Sequence, residues 1–297
     1  MNKVVELFGH AASNDAVDWQ TVVASQNCPY LGAGKRCYKS RKSDSEVAIG
    51  SCTVLFGRPP SAKIICPTRL LERRQIFTDC LHLLTQHEPG NELHILSEVA
   101  VPGGSVDYFL VSTAKGKVKD FVGIELQSLD TTGTVWPERQ RLLRELGLPR
   151  ADDAENSSKK FGMNWKMTAK TILVQMHHKV QTFEHVNKKL VLVVQDCLLS
   201  YMSREFKFDH LRAPAALGDS MHLHAYSLNR QKEGNRQNEG NRQNGGEFRL
   251  SMTDRLSTDA DGIAACLGLQ AEARIELDLI VASLQARVSA TTLFSPV

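Results

Sequence analysis

The hydrophobic pattern divides the chain into a short irregular part and a longer periodic part. Residues 1–67 contain brief β-like runs between turn formers, with too little apolar periodicity to fold strongly alone. From Thr68 to about His87, apolar residues recur at helical intervals. We therefore predict a small N-terminal module over residues 1–67 and a larger domain over residues 68–297.

The larger domain has the pattern of a mixed α/β fold. Three extended runs, ELHILSEVAV, SVDYFLVST and KVKDFVGIELQSL, are separated by turn formers and predict a β-meander. Residues 161–187 form an amphipathic helix pattern, and the run LVLVV that follows is typical of a fully buried strand. A further helix is predicted over residues 271–288, after three near-identical hexads at 229–246 that contain no apolar residue and predict a disordered loop.

Composition and motifs exclude several classes of protein. Hydrophobic residues make up 42% of the 297 residues, enough for a sizeable core. The chain lacks an apolar run of the ~18 residues that a membrane span needs and has no signal-peptide pattern, so we expect a soluble cytoplasmic protein. A Walker loop, GxGxxG and G-x-S-x-G are all absent from the sequence, which argues against a nucleotide cofactor, dinucleotide redox chemistry and serine esterases.

Four of the seven cysteines lie in the N-terminal module, at Cys28, Cys37, Cys52 and Cys66. An odd count without an export signal argues against a disulfide framework. Four clustered thiols suggest a structural metal, and thiol chemistry alone favours zinc. By spacing alone, small buried cysteines in a β-rich module are an equally good interpretation.

The second hairpin of the meander places two carboxylates together. If its turn centres on Gly116, Asp107 lies opposite Glu125, and strand alternation puts Gln127 on the same face. Two carboxylates this close repel each other unless a divalent cation binds between them. Asp107, Glu125 and the main-chain carbonyl of Leu126 offer oxygen ligands suited to Mg²⁺, and Glu98 could add another carboxylate. Taken alone, the spacing favours solvated charges on an exposed sheet face.

Two segments are strongly basic although the net charge of the chain is only +3. Residues 159–189 hold seven lysines and one acid, and residues 28–74 hold ten Lys or Arg against three acids. Such segments are suited to binding the phosphate backbone of a nucleic acid, although a run of charged residues is usually only a solvated face.

Together these motifs resemble the NotI-type restriction endonucleases of the PD-(D/E)xK nuclease superfamily. ELFGH (Glu6 to His10), NCPYL around Cys28 and IICPTR around Cys66 are similar to the N-terminal signature of that family. GIELQSLD (Gly123 to Asp130) resembles its catalytic strand, with Glu-x-Gln in place of Glu-x-Lys. NWKMTAKTILVQMHHK resembles the helix that follows, and the similarity covers roughly residues 4–200.

The resemblance implies a restriction-endonuclease-like core, with a central mixed β-sheet flanked by helices. It implies Asp107 and Glu125 as catalytic Mg²⁺ ligands, Glu98 as a third carboxylate and Gln127 as the group that orients the attacking water. It also implies a mononuclear iron bound by Cys28, Cys37, Cys52 and Cys66, with zinc as the alternative. Because an amide carries no charge, a second metal ion or another lysine, Lys166 or Lys170, must stabilise the developing charge.

The resemblance further implies a bacterial Type II site-specific deoxyribonuclease of a restriction-modification system. Such an enzyme hydrolyses phosphodiester bonds of double-stranded DNA at a GC-rich palindrome and acts as a homodimer. Arginines suited to guanine recognition are Arg36, Arg41, Arg69 and Arg139. The alternatives are a non-catalytic, metal-stabilised DNA-binding or regulatory protein, and a nuclease of the same core that acts on branched or damaged DNA.

Overall fold

A computed structural model describes residues 2–41, 43–102, 104–149, 160–230 and 248–268. The predicted helix at 271–288 and residues 231–246 of the hexad segment lie outside the described residues. Among the helices that are described, none is long and apolar enough to cross a membrane.

The N-terminal part is built on a four-stranded antiparallel sheet with the order β2-β1-β5-β6. Its elements, together with a separate β3–β4 pair, are β1 (Val4–Leu7), β2 (His10–Ala11), α1 (Trp19–Ser25), β3 (Ser40–Arg41), β4 (Asp44–Ala48), β5 (Ser51–Phe56) and β6 (Ser61–Ile64). β6 joins the rest of the chain through backbone hydrogen bonds, since Ile64 O accepts from Leu129 N at 3.0 Å. The domain boundary at residue 67 stays a prediction.

The helix expected from Thr68 to about His87 is interrupted. The segment consists of a 3₁₀ helix at Pro67–Arg74, α2 (Gln75–Cys80) and a second 3₁₀ helix at Leu81–Leu83. Arg73 and Arg74 adopt left-handed φ values of 52° and 54°, which end the first helix. The break follows Glu72, whose carboxylate accepts from the Leu250 backbone N–H at 2.8 Å, so a long-range contact overrides the local periodicity.

A six-stranded mixed sheet forms the centre of the chain, with the order β14-β13-β12-β9-β8-β7. The predicted meander is confirmed as three antiparallel strands, and the LVLVV run forms a buried strand parallel to its third strand. The strands are β7 (Glu92–Val101), β8 (Gly104–Ala114), β9 (Lys117–Gln127), β12 (Lys189–Gln195), β13 (Met221–Arg230) and β14 (Phe248–Thr258), with a small β10–β11 pair at Thr131–Thr132 and Gly162–Met163.

Helices cover the central sheet, as expected for a mixed α/β fold. They are α4 (Trp165–His185), α5 (Asp196–Glu205) and α6 (Ala260–Cys266). The remaining helix, α3 (Trp136–Glu145), packs against the N-terminal sheet through Leu142 and Leu143. Helices α4, α5 and α6 share one apolar cluster with β12, and the segment around α2 packs on the opposite side. The helix α4 can approach β9 closely because residue 123 is glycine; a Cβ there would lie 2.5 Å from the Phe183 ring.

Two buried histidines on β13 have one ring nitrogen each, His222 Nδ1 and His224 Nε2, without a hydrogen-bond partner among the described residues. Burial lowers the pKa of His222 to about 4, against a raising effect of its hydrogen bond to the Asp219 carbonyl. Burial, together with the charges of His222, Arg255 and His82, lowers the pKa of His224 to about 3. The unfolded chain therefore binds these protons first, near the ordinary value of 6.5.

We expect the free energy of unfolding to fall as pH decreases from about 6.5 to 4.5, by on the order of 2 kcal/mol per histidine. His224→Leu should lose much of this acid sensitivity, measured as the urea midpoint at pH 7 and at pH 4.5. His94→Leu, at a half-exposed position on β7, is the matched control. An identical acid dependence of both variants would contradict the assignment.

Candidate active site

Asp107 and Glu125 occupy neighbouring antiparallel strands, as the hairpin pattern predicts. The strands β8 and β9 pair Tyr108 with Ile124, and the same register places Asp107 opposite Glu125 one step further. The Leu126 N–H donates to Asp107 Oδ2 at 2.8 Å, which fixes the first carboxylate against the neighbouring strand. Both carboxylates belong to the sheet face that α4 covers, whereas Ile124 packs on the opposite side.

A buried lysine from α4 reaches this pair. Lys179 Nζ lies 2.6 Å from Glu125 Oε1, and the two side chains are 9% and 6% exposed. The same ammonium donates to the Ser105 carbonyl at 2.6 Å. The lysine is therefore held by β8 and β9 together, in a place where its charge acts directly on the carboxylates.

The pKa of Glu125 is raised to about 7, chiefly because burial disfavours the charged carboxylate. The negative charge of Asp107 raises this pKa further, while the Lys179 ammonium and the Asp107 backbone N–H lower it. Without a metal ion, this carboxyl group takes up a proton near neutral pH. A divalent cation between the two carboxylates would relieve their repulsion, so the pair fits an ion such as Mg²⁺.

The other residues predicted for this site are placed less closely. Gln127 continues the Glu125 face, but its Nε2 donates to the Ser128 carbonyl at 2.6 Å. Glu98 lies on β7 opposite Asp107 in the register, is exposed, and has a left-handed φ of 55°, a strained value for this residue type inside a strand. The Leu126 side chain is buried on the opposite face.

The four N-terminal cysteines are free thiols and lie in one neighbourhood. Burial raises the pKa of Cys28, Cys37 and Cys52, and in each case the charge of Cys66 contributes. Thr68 Oγ1 lies 3.0 Å from Cys66 Sγ and 4.0 Å from Cys28 Sγ. Within the described ranges, no group of three or more His, Cys, Asp or Glu side chains is placed to hold a metal ion, so the expected four-cysteine metal module is not shown.

Two of the four arginines suggested as guanine readers are buried. Arg69 donates to Glu6 at 2.8 Å and to Glu72 at 3.0 Å, and Arg139 donates to the Ile49 carbonyl at 2.8 Å. With side chains enclosed by the protein, neither can enter a DNA groove. Sequence alone missed this because Glu6, the buried partner of Arg69, lies 63 residues away on β1.

Arg69→Met should destabilise the fold by about 3–5 kcal/mol, since it leaves the buried Glu6 carboxylate without its cation. Arg36→Met is the matched control: its ion pair with Glu46 is exposed and should contribute about 1 kcal/mol or less. Chemical denaturation of both variants measures the difference. Equal losses of stability would overturn the structural assignment of Arg69.

Two carboxylates on one face of a mixed sheet, with a buried lysine of α4 against them, form a site suited to metal-assisted hydrolysis. The model of the family described as Restriction endonuclease NotI matches residues 23–217, more than half of the chain, including Asp107, Glu125 and Lys179. The chain belongs to this family, and it is a Type II site-specific deoxyribonuclease that binds double-stranded DNA. A search of curated proteins found no match.

Lys179 is the functional candidate that residue patterns did not single out for this role. The lysines suggested instead, Lys166 and Lys170, are exposed on α4. Lys179 lies in the apolar stripe of that helix, between Met176 and Val180, which are fully buried. A lysine in the buried stripe of an amphipathic helix needs a partner inside the protein, and this was the available signal.

Proposed function

We propose that this enzyme cleaves double-stranded DNA at a GC-rich palindrome in a Mg²⁺-dependent reaction, on a core of the PD-(D/E)xK type. The observation that carries this proposal is the Asp107–Glu125 pair with Lys179 against it. Family membership supports DNA as the substrate. The Mg²⁺ requirement and the palindrome rest on the family resemblance and on the chemistry of the carboxylates.

In this mechanism Asp107 and Glu125 hold the ion, with the Leu126 carbonyl as a further oxygen ligand. Mg²⁺, when bound, supplies an activated water and neutralises charge on the departing 3′ oxygen. Lys179 keeps the Glu125 carboxylate oriented toward Asp107 and supplies the positive charge that Gln127 lacks. Gln127 forms a hydrogen bond with the attacking water. Glu98 adds negative charge near Asp107.

In this proposal, a lysine on helix α4 replaces the lysine that the PD-(D/E)xK pattern places on the catalytic strand, here β9. The sequence Glu-x-Gln leaves the strand position neutral, while the helix places a cation 2.6 Å from Glu125 Oε1. Positive charge is thereby retained at the carboxylate that would hold the metal ion, although it comes from a different element.

A homodimer would cut both strands of a palindrome with one active site on each. The support on this chain is the edge strand β7, where Leu93, Ile95 and Leu96 are exposed although they are large and apolar. An exposed apolar edge strand is suited to association with a second copy. Light scattering of the wild type and of Leu96→Asp tests this; a monomeric wild type would contradict it.

For base recognition, Arg36 and Arg41 remain candidates. Arg36 is partly exposed and pairs with Glu46, and the Arg41 guanidinium lies 4.7 Å from the Trp136 ring centroid. Bidentate contact from such arginines to guanine suits a GC-rich site. Arg36→Ala should relax sequence preference at one base pair, measured by cleavage of single-substituted sites.

We also propose a structural metal, iron or zinc, at Cys28, Cys37, Cys52 and Cys66. The charge of Cys66 acts on each of the other three thiols, which supports the proposal, and sulfur ligands suit either ion. Metal analysis should find one ion per chain, and Cys52→Ser should lose the ion and lower the melting temperature. A metal-free wild type with an unchanged melting temperature after chelation would refute this site.

Digestion of a fully sequenced plasmid and a phage DNA, with Mg²⁺ or with EDTA, tests the central proposal. Discrete fragments are expected in the Mg²⁺ sample and not in the EDTA sample. Mapping their ends gives the recognition site and the offset between the cuts on the two strands. Nicking confined to branched or damaged DNA would instead support the alternative nuclease. Intact GC-rich DNA in both samples, with a folded metal-loaded protein, would favour the non-catalytic binding protein.

A further inference from the structure

An open cleft of about 1000 Å³ lies beside the candidate active site, and none of the carboxylates or the lysine described above lines it. One wall is a single face of α5, formed by Cys197, Ser200, Tyr201 and Arg204. The facing wall is the β5–β6 region, which includes Lys63. Residues at this helical spacing point to one side, so α5 presents a continuous surface to the cleft.

The cleft opens at the edge of the sheet where β9, the strand that carries Glu125, ends. β12 runs parallel to β9, with Val194 paired to Gln127, and the cleft begins at Gln195 directly after that pair. Gln195 also fixes the opposite wall, since its Oε1 accepts from Ile64 N and its Nε2 donates to Ala62 O, both at 2.9 Å. Adjacent strands are about 5 Å apart, whereas one turn of DNA extends about 34 Å. DNA held at Glu125 is therefore long enough to reach the cleft.

The lining combines aromatic rings with cations. The Trp165 and Tyr201 rings lie 5.6 Å apart at 36°, and Lys63 Nζ lies 5.7 Å from the Trp165 ring centroid. Arg204 is exposed on the α5 face one turn beyond Tyr201. Asp196 is the carboxylate among the lining residues, and the Lys63 charge acts on it. Aromatic rings stack on bases and cations bind phosphates, so this combination is typical of a surface that binds a nucleic acid strand.

We propose that this cleft binds the DNA strand that flanks the cleaved bond, with an unstacked base against Trp165 and Tyr201 and phosphates at Lys63 and Arg204. The inference rests on the proposed nuclease function and adds a second DNA contact region to it. Flanking DNA, beyond the recognised palindrome, would then contribute to affinity.

The experiment uses the full chain and duplexes built around the mapped cut, either short or extended by flanking DNA. Arg204→Ala should weaken binding of the extended duplex roughly 10-fold and lower the slope of log affinity against log salt by about one, with little change for the short duplex. Tyr201→Ala should weaken binding of the same duplex roughly 10-fold and change the quenching of a 2-aminopurine placed in the flank relative to the wild-type complex. Lys207→Ala, an exposed cation just after α5 that does not line the cleft, is the control.

Unchanged affinity, salt slope and quenching in both variants, with a wild type that cleaves normally, would overturn the cleft proposal alone. Equal losses for the short and extended duplexes would also overturn it, because flanking DNA would then not be involved. A wild type that neither binds nor cleaves any duplex would instead overturn the nuclease function on which the proposal rests.

Discussion

Glu125→Gln is expected to reduce DNA cleavage roughly 10³-fold while DNA binding persists. The amide keeps the size of the side chain but removes the negative charge that a divalent cation needs. The Glu125 carboxyl is held by Lys179 and by the Asp107 backbone, so its loss acts at the centre of the site. Cleavage is measured as single-turnover rates on a mapped site, and binding as a gel shift with the same duplex.

Asp107→Asn separates a catalytic effect from a folding defect. Because Asp107 Oδ2 accepts a hydrogen bond from Leu126 N, asparagine can keep this contact and the fold. It should lose cleavage to a similar extent with an unchanged melting temperature. Glu92→Gln, an exposed carboxylate on β7, is the matched control and should cleave like the wild type. Normal cleavage by either site variant would eliminate the carboxylate mechanism.

Lys179→Met should lower the cleavage rate roughly 100-fold and destabilise the fold by about 3–5 kcal/mol. Methionine fills the buried space but leaves the Glu125 carboxylate without its cation. The expected change is in kcat rather than KM, because Lys179 is buried and acts through Glu125. Rates are measured below the melting transition, so that lost stability does not lower the fraction of folded enzyme.

Lys179→Arg preserves the charge and should recover part of the rate, although the guanidinium is too large for the contact with Ser105 O. Lys170 is an exposed lysine on the same helix, so Lys170→Met serves as the control and should change neither the cleavage rate nor the stability. If Lys179→Met has the wild-type kcat in its folded state, Lys179 is only a structural partner of Glu125.

The features that sequence predicted best are local. The predicted hairpin and the Asp107–Glu125 pairing agree with the structure, although the turn alone does not fix this pairing. Next to the turn, Ala114 pairs with Lys117 and Thr113 with Val118, which is one residue off the predicted register. The bulge between Ser112 and Thr113 brings the rest of the ladder into the predicted register. The helix that became α4 was also predicted, since its apolar spacing extends over many turns.

The features that sequence missed depend on contacts between distant segments. Lys179 reaches Glu125 across 54 residues of chain, and periodicity alone does not identify its partner. Arg69 looked like a surface cation, but it is buried against Glu6, which lies 63 residues away on β1. The interruption of the predicted helix before α2 likewise follows a contact to Leu250, far along the chain.

The separation of Glu125 and Lys179 along the chain has a consequence for newly made enzyme. A ribosome adds about 5–20 residues per second, so both carboxylates are synthesised seconds before the lysine that orients them. The apolar cluster that holds α4 also includes Leu223 and Ala225, which are made later still. A nascent chain thus carries both carboxylates before the elements that position them exist, so the proposed site can form only after synthesis passes the second half of the sheet.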